Sequence, residues 1–159
     1  MIPKSGLYIP NKFARISLLA FEDVLGKNGL NVILNRASLS GLIDQNPPDD
    51  LERSFDFSDY SMILQGLEEM YGFRGGRGLA LRAGRAMFNN GLKNFGALAG
   101  VEDPEFQILP FRAKQKIALK AVARIFTSLS DETSSVEEEE DHYNYIMHAC
   151  PQCWGPVSY

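Results

Sequence analysis

Apolar residues recur every three or four positions along several stretches of the chain, and this period predicts amphipathic helices. The first predicted helix covers residues 11–25, between a start signal at Asn11 and a stop at Gly26. Its apolar positions are Phe13, Ile16, Leu19, Ala20 and Val24. A short second helix is predicted at residues 30–37. A third follows an extended, proline-containing loop at residues 41–53, is capped by Ser58 or Asp59, and reaches about Tyr71.

Glycine dominates residues 72–78, and we expect this segment to break the chain before a fourth helix over about residues 79–98. That helix carries Gly84 and Gly91, each of which costs about 1 kcal/mol relative to alanine in a helix interior. With Ala80 they form a stripe of small residues. Such a stripe indicates either close packing of another backbone or room for a ligand.

The pattern changes towards the C-terminus. Pro110 begins a fifth predicted helix that extends to Leu129. Residues 134–138 and 142–149 then alternate in the way of strands and are joined by an acidic turn, with Tyr143 and Tyr145 on one face. Helices first and a hairpin last predict an α+β fold in a single domain, residues 1–159. We expect a layer of about five helices packed on a small antiparallel sheet that includes the C-terminal hairpin.

Composition narrows the class of protein. The chain has 159 residues, 45% of them hydrophobic, which is enough for one core. Its net charge of −4 argues against binding nucleic acid through bulk charge. It contains no run of 18 apolar residues, so we expect no membrane span and a cytoplasmic protein.

The sequence offers few signs of catalysis. No nucleophile motif or cofactor fingerprint occurs, and the glycine-rich segment lacks the preceding strand and the Gly-Lys-Ser/Thr of a phosphate loop. We therefore expect no nucleotide cofactor and a domain that is not an enzyme by itself.

Both cysteines lie in Cys150-Pro-Gln-Cys153-Trp154-Gly155, with His148 just upstream. Two thiolates at this spacing are half of a zinc site, which the other ligands, among them His148, or a second subunit would complete. A redox pair and two buried small residues beside Trp154 are the alternatives. A structural disulfide is less expected, because a bridge this short cannot staple a fold.

Charged residues give two further hypotheses. Arg74 and Arg77 precede the fourth predicted helix, where their positive charges oppose the helix dipole. An anion such as a ligand carboxylate would offset this repulsion, although Glu68 and Glu69 are the simpler partners. The last helix carries a basic row, which either is a solvated face paired with the acidic run at 137–141 or binds an acidic surface. The row consists of Arg112, Lys116, Lys120 and Arg124.

Several segments in the same order resemble the 4-vinyl reductase domain family, named after a protein of bacteriochlorophyll biosynthesis. The similar segments are Asn11-Lys-Phe-Ala-Arg15, Pro47-Pro-Asp-Asp-Leu-Glu52, Met70-Tyr-Gly-Phe-Arg-Gly-Gly-Arg-Gly78, Leu81-Arg-Ala-Gly-Arg85, the acidic hairpin 137–142, and Cys150 to Gly155. The resemblance covers most of the chain. It rests on the order of the segments, since none is specific alone.

The resemblance implies antiparallel strands flanked by helices, dimer formation, and binding of hydrophobic small molecules from phenols to tetrapyrroles. It extends to the sensor domains of aromatic-responsive activators and to vesicle-tethering subunits. In the sensor relatives a zinc site uses the cysteine before tryptophan, here Cys153, with a glutamate and two cysteines from a later region. The printed sequence lacks that later region, so we expect an incomplete or shared zinc site in which Cys150 substitutes for a missing ligand.

Three functions follow as hypotheses. The first is a non-catalytic binding domain for a tetrapyrrole or an aromatic or hydrocarbon molecule, with Gly84, Gly91, Tyr143 and Tyr145 around the ligand and Arg74 or Arg77 as an anchor. The second is a homodimerising assembly module related to vesicle-tethering subunits. The third is a bacteriochlorophyll 4-vinyl reductase, for which the chain offers no recognisable site for an electron donor.

Overall fold

The computed structural model describes residues 2–155, apart from the side chain of Leu98. Four helices lie along the chain: α1 (Asn11–Arg36), α2 (Phe57–Ala99), α3 (Pro104–Gln107) and α4 (Phe111–Leu129). Four strands accompany them: β1 (Tyr8–Pro10), β2 (Arg53–Asp56), β3 (Thr133–Glu138) and β4 (Tyr143–Ala149). Short 3-10 turns occur at Ser40–Leu42 and Pro151–Cys153. The α+β class is confirmed, and the described residues form four helices instead of about five.

Two glycines bend the long helices. Gly26 in α1 has φ 72° and ψ 161°, and Gly72 in α2 has φ 70° and ψ 166°. Only glycine adopts this backbone conformation readily, so each position ends one helical segment and starts the next. The predicted stop at Gly26 is confirmed. The prediction that the whole segment 72–78 interrupts the helix is wrong. Gly72, with its positive φ, is sufficient to turn the chain, and the helix resumes at Phe73.

The bend at Gly72 folds α2 back on itself. A Cβ atom on Gly76 would lie 2.9 Å from the Cα atom of Glu68, a distance that only a chain reversal allows between residues so close in sequence. Farther from the bend, the Tyr60 hydroxyl lies 3.7 Å from the sulfur of Met87. Residues 57–71 and 73–99 therefore form a helical hairpin, which we call the α2 hairpin.

The strands form two separate antiparallel pairs. In the first, β1 pairs with β2, with Tyr8 opposite Asp56 and Ile9 opposite Phe55. Sequence reasoning missed this pair, because strands of three and four residues show too little alternation to be recognised. In the second, β3 pairs with β4, and their positions agree with the predicted C-terminal hairpin to within a residue.

The cap of α2 is Asp56, two residues before the predicted position. Its carboxylate accepts hydrogen bonds from the backbone of Ser58 at 2.7 Å, from the backbone of Ser5 at 3.1 Å, and from that of Gly6 at 3.1 Å. Burial alone would raise the pKa of Asp56, but the hydrogen bonds from Ser58 and Ser5 outweigh it and lower the pKa to about 2. This charge fixes the N-terminal segment to the start of α2.

One cluster of buried apolar side chains forms the core, mainly from α1 and the first arm of the α2 hairpin. Its most completely buried members are Leu18, Phe21, Ile33, Leu34, Phe57, Ile63 and Leu67. The second arm of the hairpin and α4 contribute mostly half-buried side chains to the edge of this core. Within residues 2–155 no helix has the length and apolar character needed to cross a membrane.

Candidate functional site: an apolar cavity with one buried carboxylate

A cavity of about 280 Å³ lies between α1, the second arm of the α2 hairpin and α4. Its wall is almost entirely apolar, and three aromatic rings form one corner of it. Phe13 meets Phe95 edge to face at 5.3 Å and Phe126 at 5.2 Å between ring centroids. The remaining apolar lining includes Ile9, Ile16, Met87, Phe88, Leu92, Val122, Ile125 and Pro151.

Gly84 and Gly91 both line this cavity and lie about two helical turns apart along α2. A Cβ atom added to either would meet no other heavy atom within 4 Å. The stripe of small residues is therefore not explained by close backbone packing at these two positions. Here the absence of side chains leaves open volume.

Glu132 carries the one carboxylate among the described residues that line the cavity. The residue is only 3% exposed, yet no hydrogen bond or ion pair joins its carboxylate to any side chain within the described part of the chain. Burial raises the pKa of Glu132 to about 7. A largely buried carboxylate without a protein partner is unusual, because such groups normally have their desolvation offset by hydrogen bonds or a cation.

Hydrogen bonds on both sides of the Glu132 backbone hold the position of this residue beside the cavity. Asp131 exchanges two hydrogen bonds with Tyr8 of β1: its carboxylate accepts from the Tyr8 backbone at 2.8 Å, and its own backbone donates to Tyr8 at 2.9 Å. Arg53 of β2 binds the other oxygen of Asp131 at 2.9 Å. The backbone of Glu132 donates to the Ser130 hydroxyl at 3.1 Å.

Three further polar side chains reach the cavity from different elements: Tyr60, Ser17 and Gln152. Burial and the nearby charge of Glu132 raise the pKa of Tyr60 to about 12, although Ser17 and Gln152 act in the opposite direction. The phenol is therefore neutral and can donate or accept a hydrogen bond at any physiological pH. The cavity thus combines apolar walls with a few polar groups at one end, as ligand sites do.

A second hollow of about 700 Å³ adjoins the cavity along the same arm of the α2 hairpin. It is bordered by Arg77 and Arg85, and it shares five lining residues with the cavity: Tyr60, Gly84, Met87, Phe88 and Gln152. The predicted anchor Arg77 therefore lies outside the apolar cavity.

The other predicted residues lie elsewhere. Arg74 is exposed and borders neither hollow, and Glu69 pairs with Arg36 at 3.1 Å. Tyr145 and Tyr143 do not line the cavity in the described structure. Tyr145 bonds the Ser134 hydroxyl at 2.9 Å, and burial, together with the charge of Glu132, raises its pKa.

Tyr143 belongs to the contact between the basic row of α4 and the acidic hairpin. The Arg112 guanidinium lies over the Tyr143 ring at 5.7 Å, and Lys116 binds Glu138 at 2.5 Å. These contacts are consistent with a row that pairs with the acidic run, which was the first of the two alternatives.

The cysteine pair closes on itself. The sulfurs of Cys150 and Cys153 are bonded to each other as a disulfide, and the two residues between them, Pro151 and Gln152, line the cavity. His148 instead faces Ser135, with 3.0 Å between Nε2 and Oγ. Among the described residues no three His, Cys, Asp or Glu side chains are grouped to hold a metal ion. Zinc binding by Cys150, Cys153 and His148 stays a prediction.

Sequence reasoning missed Glu132 and Tyr60, which are the most polar parts of the cavity wall. Glu132 follows a helix and precedes a strand, in a segment with several other acidic residues, so nothing in the pattern marks it as buried. Tyr60 lies in the first turn of α2 and has the spacing of an ordinary core residue.

No family model matches the chain, and neither the curated proteins nor the solved structures gave a match. The resemblance to the 4-vinyl reductase domain family therefore stays a prediction.

Proposed function

We propose that this protein binds a small hydrophobic molecule in the cavity between α1, α2 and α4. The single observation that carries the proposal is a cavity of about 280 Å³ with an apolar wall and a buried carboxylate that has no partner. Close packing is the rule in protein interiors, and cavities of this size are few. Within the hypotheses raised by the sequence, this favours a binding domain over an enzyme.

The volume limits the ligand. An apolar cavity of about 150 Å³ holds one benzene molecule, which is about 25 Å³ for each non-hydrogen atom. By that ratio, 280 Å³ holds about eleven such atoms. A single substituted aromatic ring or a short hydrocarbon fits this volume, whereas a tetrapyrrole is several times too large for it. We therefore favour the aromatic or hydrocarbon class.

Calorimetric titration with neutral aromatic molecules of increasing size tests the proposal. We expect affinity to rise from benzene to ethylbenzene and butylbenzene, and to fall for compounds of more than about eleven carbons. Affinity that keeps rising with ligand size would indicate partition onto the surface and would contradict the proposal. Native mass spectrometry of freshly purified protein would additionally reveal a ligand that copurifies.

The location of the bound molecule can be checked separately by methyl NMR. Ethylbenzene should shift the methyl signals of Ile16, Val122 and Ile125, which line the cavity. The signals of Val32 and Ile108 serve as controls, since both side chains are exposed outside it. Equal shifts in both groups would argue against a single site.

A second candidate function is homodimerisation through exposed apolar residues on the second arm of the α2 hairpin. Leu81 is 60% exposed and Phe88 is 55% exposed, seven residues apart on one stripe of the helix, with Arg77 and Arg85 beside them. Exposed apolar stripes of this kind mark interaction surfaces. Sedimentation analysis of Leu81→Ser tests this candidate: the variant should be monomeric under conditions in which the unmodified protein is a dimer.

A further inference from the structure

We propose that Glu132 is a specificity residue that selects, among small aromatic molecules, those bearing a protonated amine. This inference rests on the proposed function, since it assigns the charge of the ligand that the cavity would take. It concerns a residue that the sequence pattern does not single out.

Geometry gives the first argument. Glu132 is only 3% exposed and borders the cavity. Its carboxylate has no hydrogen-bond partner within residues 2–155. The pairs that Asp131 makes with Tyr8 and Arg53 hold the neighbouring backbone, and so set the position from which the Glu132 side chain reaches the cavity.

Charge gives the second argument. Buried carboxylates are normally paired with a cation, and Glu132 has none. The Arg53 guanidinium, which pairs with the neighbouring Asp131, also donates to the carbonyls of Ser128 and Leu129. No lysine, arginine or histidine borders the cavity in the described structure. A ligand ammonium group would supply the missing positive charge.

The charge of Glu132 acts on two other titratable groups, Tyr60 from α2 and Tyr145 from β4, of which only Tyr60 lines the cavity. Both are neutral phenols, because burial, the larger cause, and the charge of Glu132 raise the pKa of each. Neither can neutralise the carboxylate. The same negative charge excludes a ligand carboxylate from the cavity, so an anionic ligand with its acid group there is disfavoured.

The test is a matched set of ligands with one skeleton and different polar groups, titrated by calorimetry at about pH 8, where Glu132 is mostly ionised. The set comprises ethylbenzene, 2-phenylethanol, acetophenone, phenylacetate and 2-phenylethylamine. We expect the amine to bind about ten- to a hundredfold more tightly than ethylbenzene, and phenylacetate to bind most weakly.

The variants are Glu132→Gln, which removes the charge with little change of shape, and Glu140→Gln, a control in the exposed hairpin turn. Glu132→Gln should lose the preference for the amine and retain ethylbenzene binding, while Glu140→Gln should retain both. In the unmodified protein, lowering the pH to about 5.5 should weaken amine binding without changing that of ethylbenzene, because Glu132 becomes protonated. This last comparison does not depend on how well a variant folds.

Each result decides between the proposals. Ethylbenzene binding without a preference for the amine would overturn the assignment of Glu132 and leave the binding function in place. Tighter binding of acetophenone than of the amine would also overturn it, since Glu132 would then be a hydrogen-bond donor. If none of the five compounds bound, both proposals would be refuted.

Discussion

Replacing Gly91 with leucine places a side chain directly in the proposed ligand volume. Gly91 lines the cavity from α2, and a Cβ atom there would meet no heavy atom within 4 Å. The Cβ atom can therefore be added without moving its neighbours, and we expect the rest of the leucine side chain to occupy the open volume. We expect Gly91→Leu to stabilise the protein and to reduce the size of ligand that it accepts.

The magnitudes follow from the structure. Four added carbons occupy about 100 Å³ of the 280 Å³, which leaves room for about seven non-hydrogen atoms. Leucine instead of glycine within the helix contributes about 1 kcal/mol to the free energy of unfolding. Burial of the four carbons contributes up to about 3 kcal/mol more.

Urea denaturation and calorimetric titration measure the two effects. Gly78→Leu is the matched control, because Gly78 lies in the same helical arm, has an equally open Cβ position, and does not border the cavity. The control should gain only the helix contribution and keep ethylbenzene binding. Gly91→Leu should gain more stability, lose ethylbenzene and retain benzene.

Equal stability of the two leucine variants, with ethylbenzene affinity unchanged in both, would refute the reasoning. It would mean that the side chain at Gly91 points into solvent and that no ligand-sized cavity exists beside it.

Three further predictions concern other parts of the molecule. Burial raises the pKa of Glu132 from 4.5 to about 7, so between these pH values the folded protein keeps a proton that the unfolded chain loses. The free energy of unfolding should therefore fall by about 3 kcal/mol as the pH rises from about 4.5 to about 7. Urea denaturation across this range should show the fall in the unmodified protein and a flat profile in Glu132→Gln; parallel profiles would contradict it. Gly76→Ala should destabilise the fold in the same measurement, because its Cβ would lie 2.9 Å from the Cα of Glu68; a gain in stability would show that the two arms are farther apart. Thiol titration of unfolded protein should find no free thiol before reduction and both Cys150 and Cys153 after it, whereas two free thiols with stoichiometric zinc would favour the metal site.

The elements with strong local patterns were predictable from sequence. The helical period placed α1, α2 and α4, and alternation placed the C-terminal hairpin, because each pattern reports a face buried against the core. The glycines were harder to interpret. Gly72 turns the chain and Gly76 allows close contact, while Gly84 and Gly91 leave open space, and only three-dimensional neighbours separate these roles.

The candidate site was predictable only in part. Its small-residue stripe was visible, but the polar end of the cavity arises from contacts between distant parts of the chain. Asp131, just before Glu132, is hydrogen-bonded to Tyr8 of β1, near the N-terminus. A single sequence has no local signal for such an arrangement. For the same reason, the sequence suggested Arg74 and Arg77 as anchors for a ligand carboxylate, although neither lines the cavity.

The bond between Tyr8 and Asp131 spans 123 residues, and this has a consequence for assembly of the protein. Contacts so far apart in sequence carry the largest loss of chain entropy, whereas the α2 hairpin closes over a short loop. The helices can therefore associate early, but Glu132 reaches its final position only when both ends of the chain have met. A chain still being synthesised, or one cut within its first ten residues, would keep its apolar helices but would not hold the Glu132 carboxylate in place. The ability to recognise a cationic ligand is therefore acquired last.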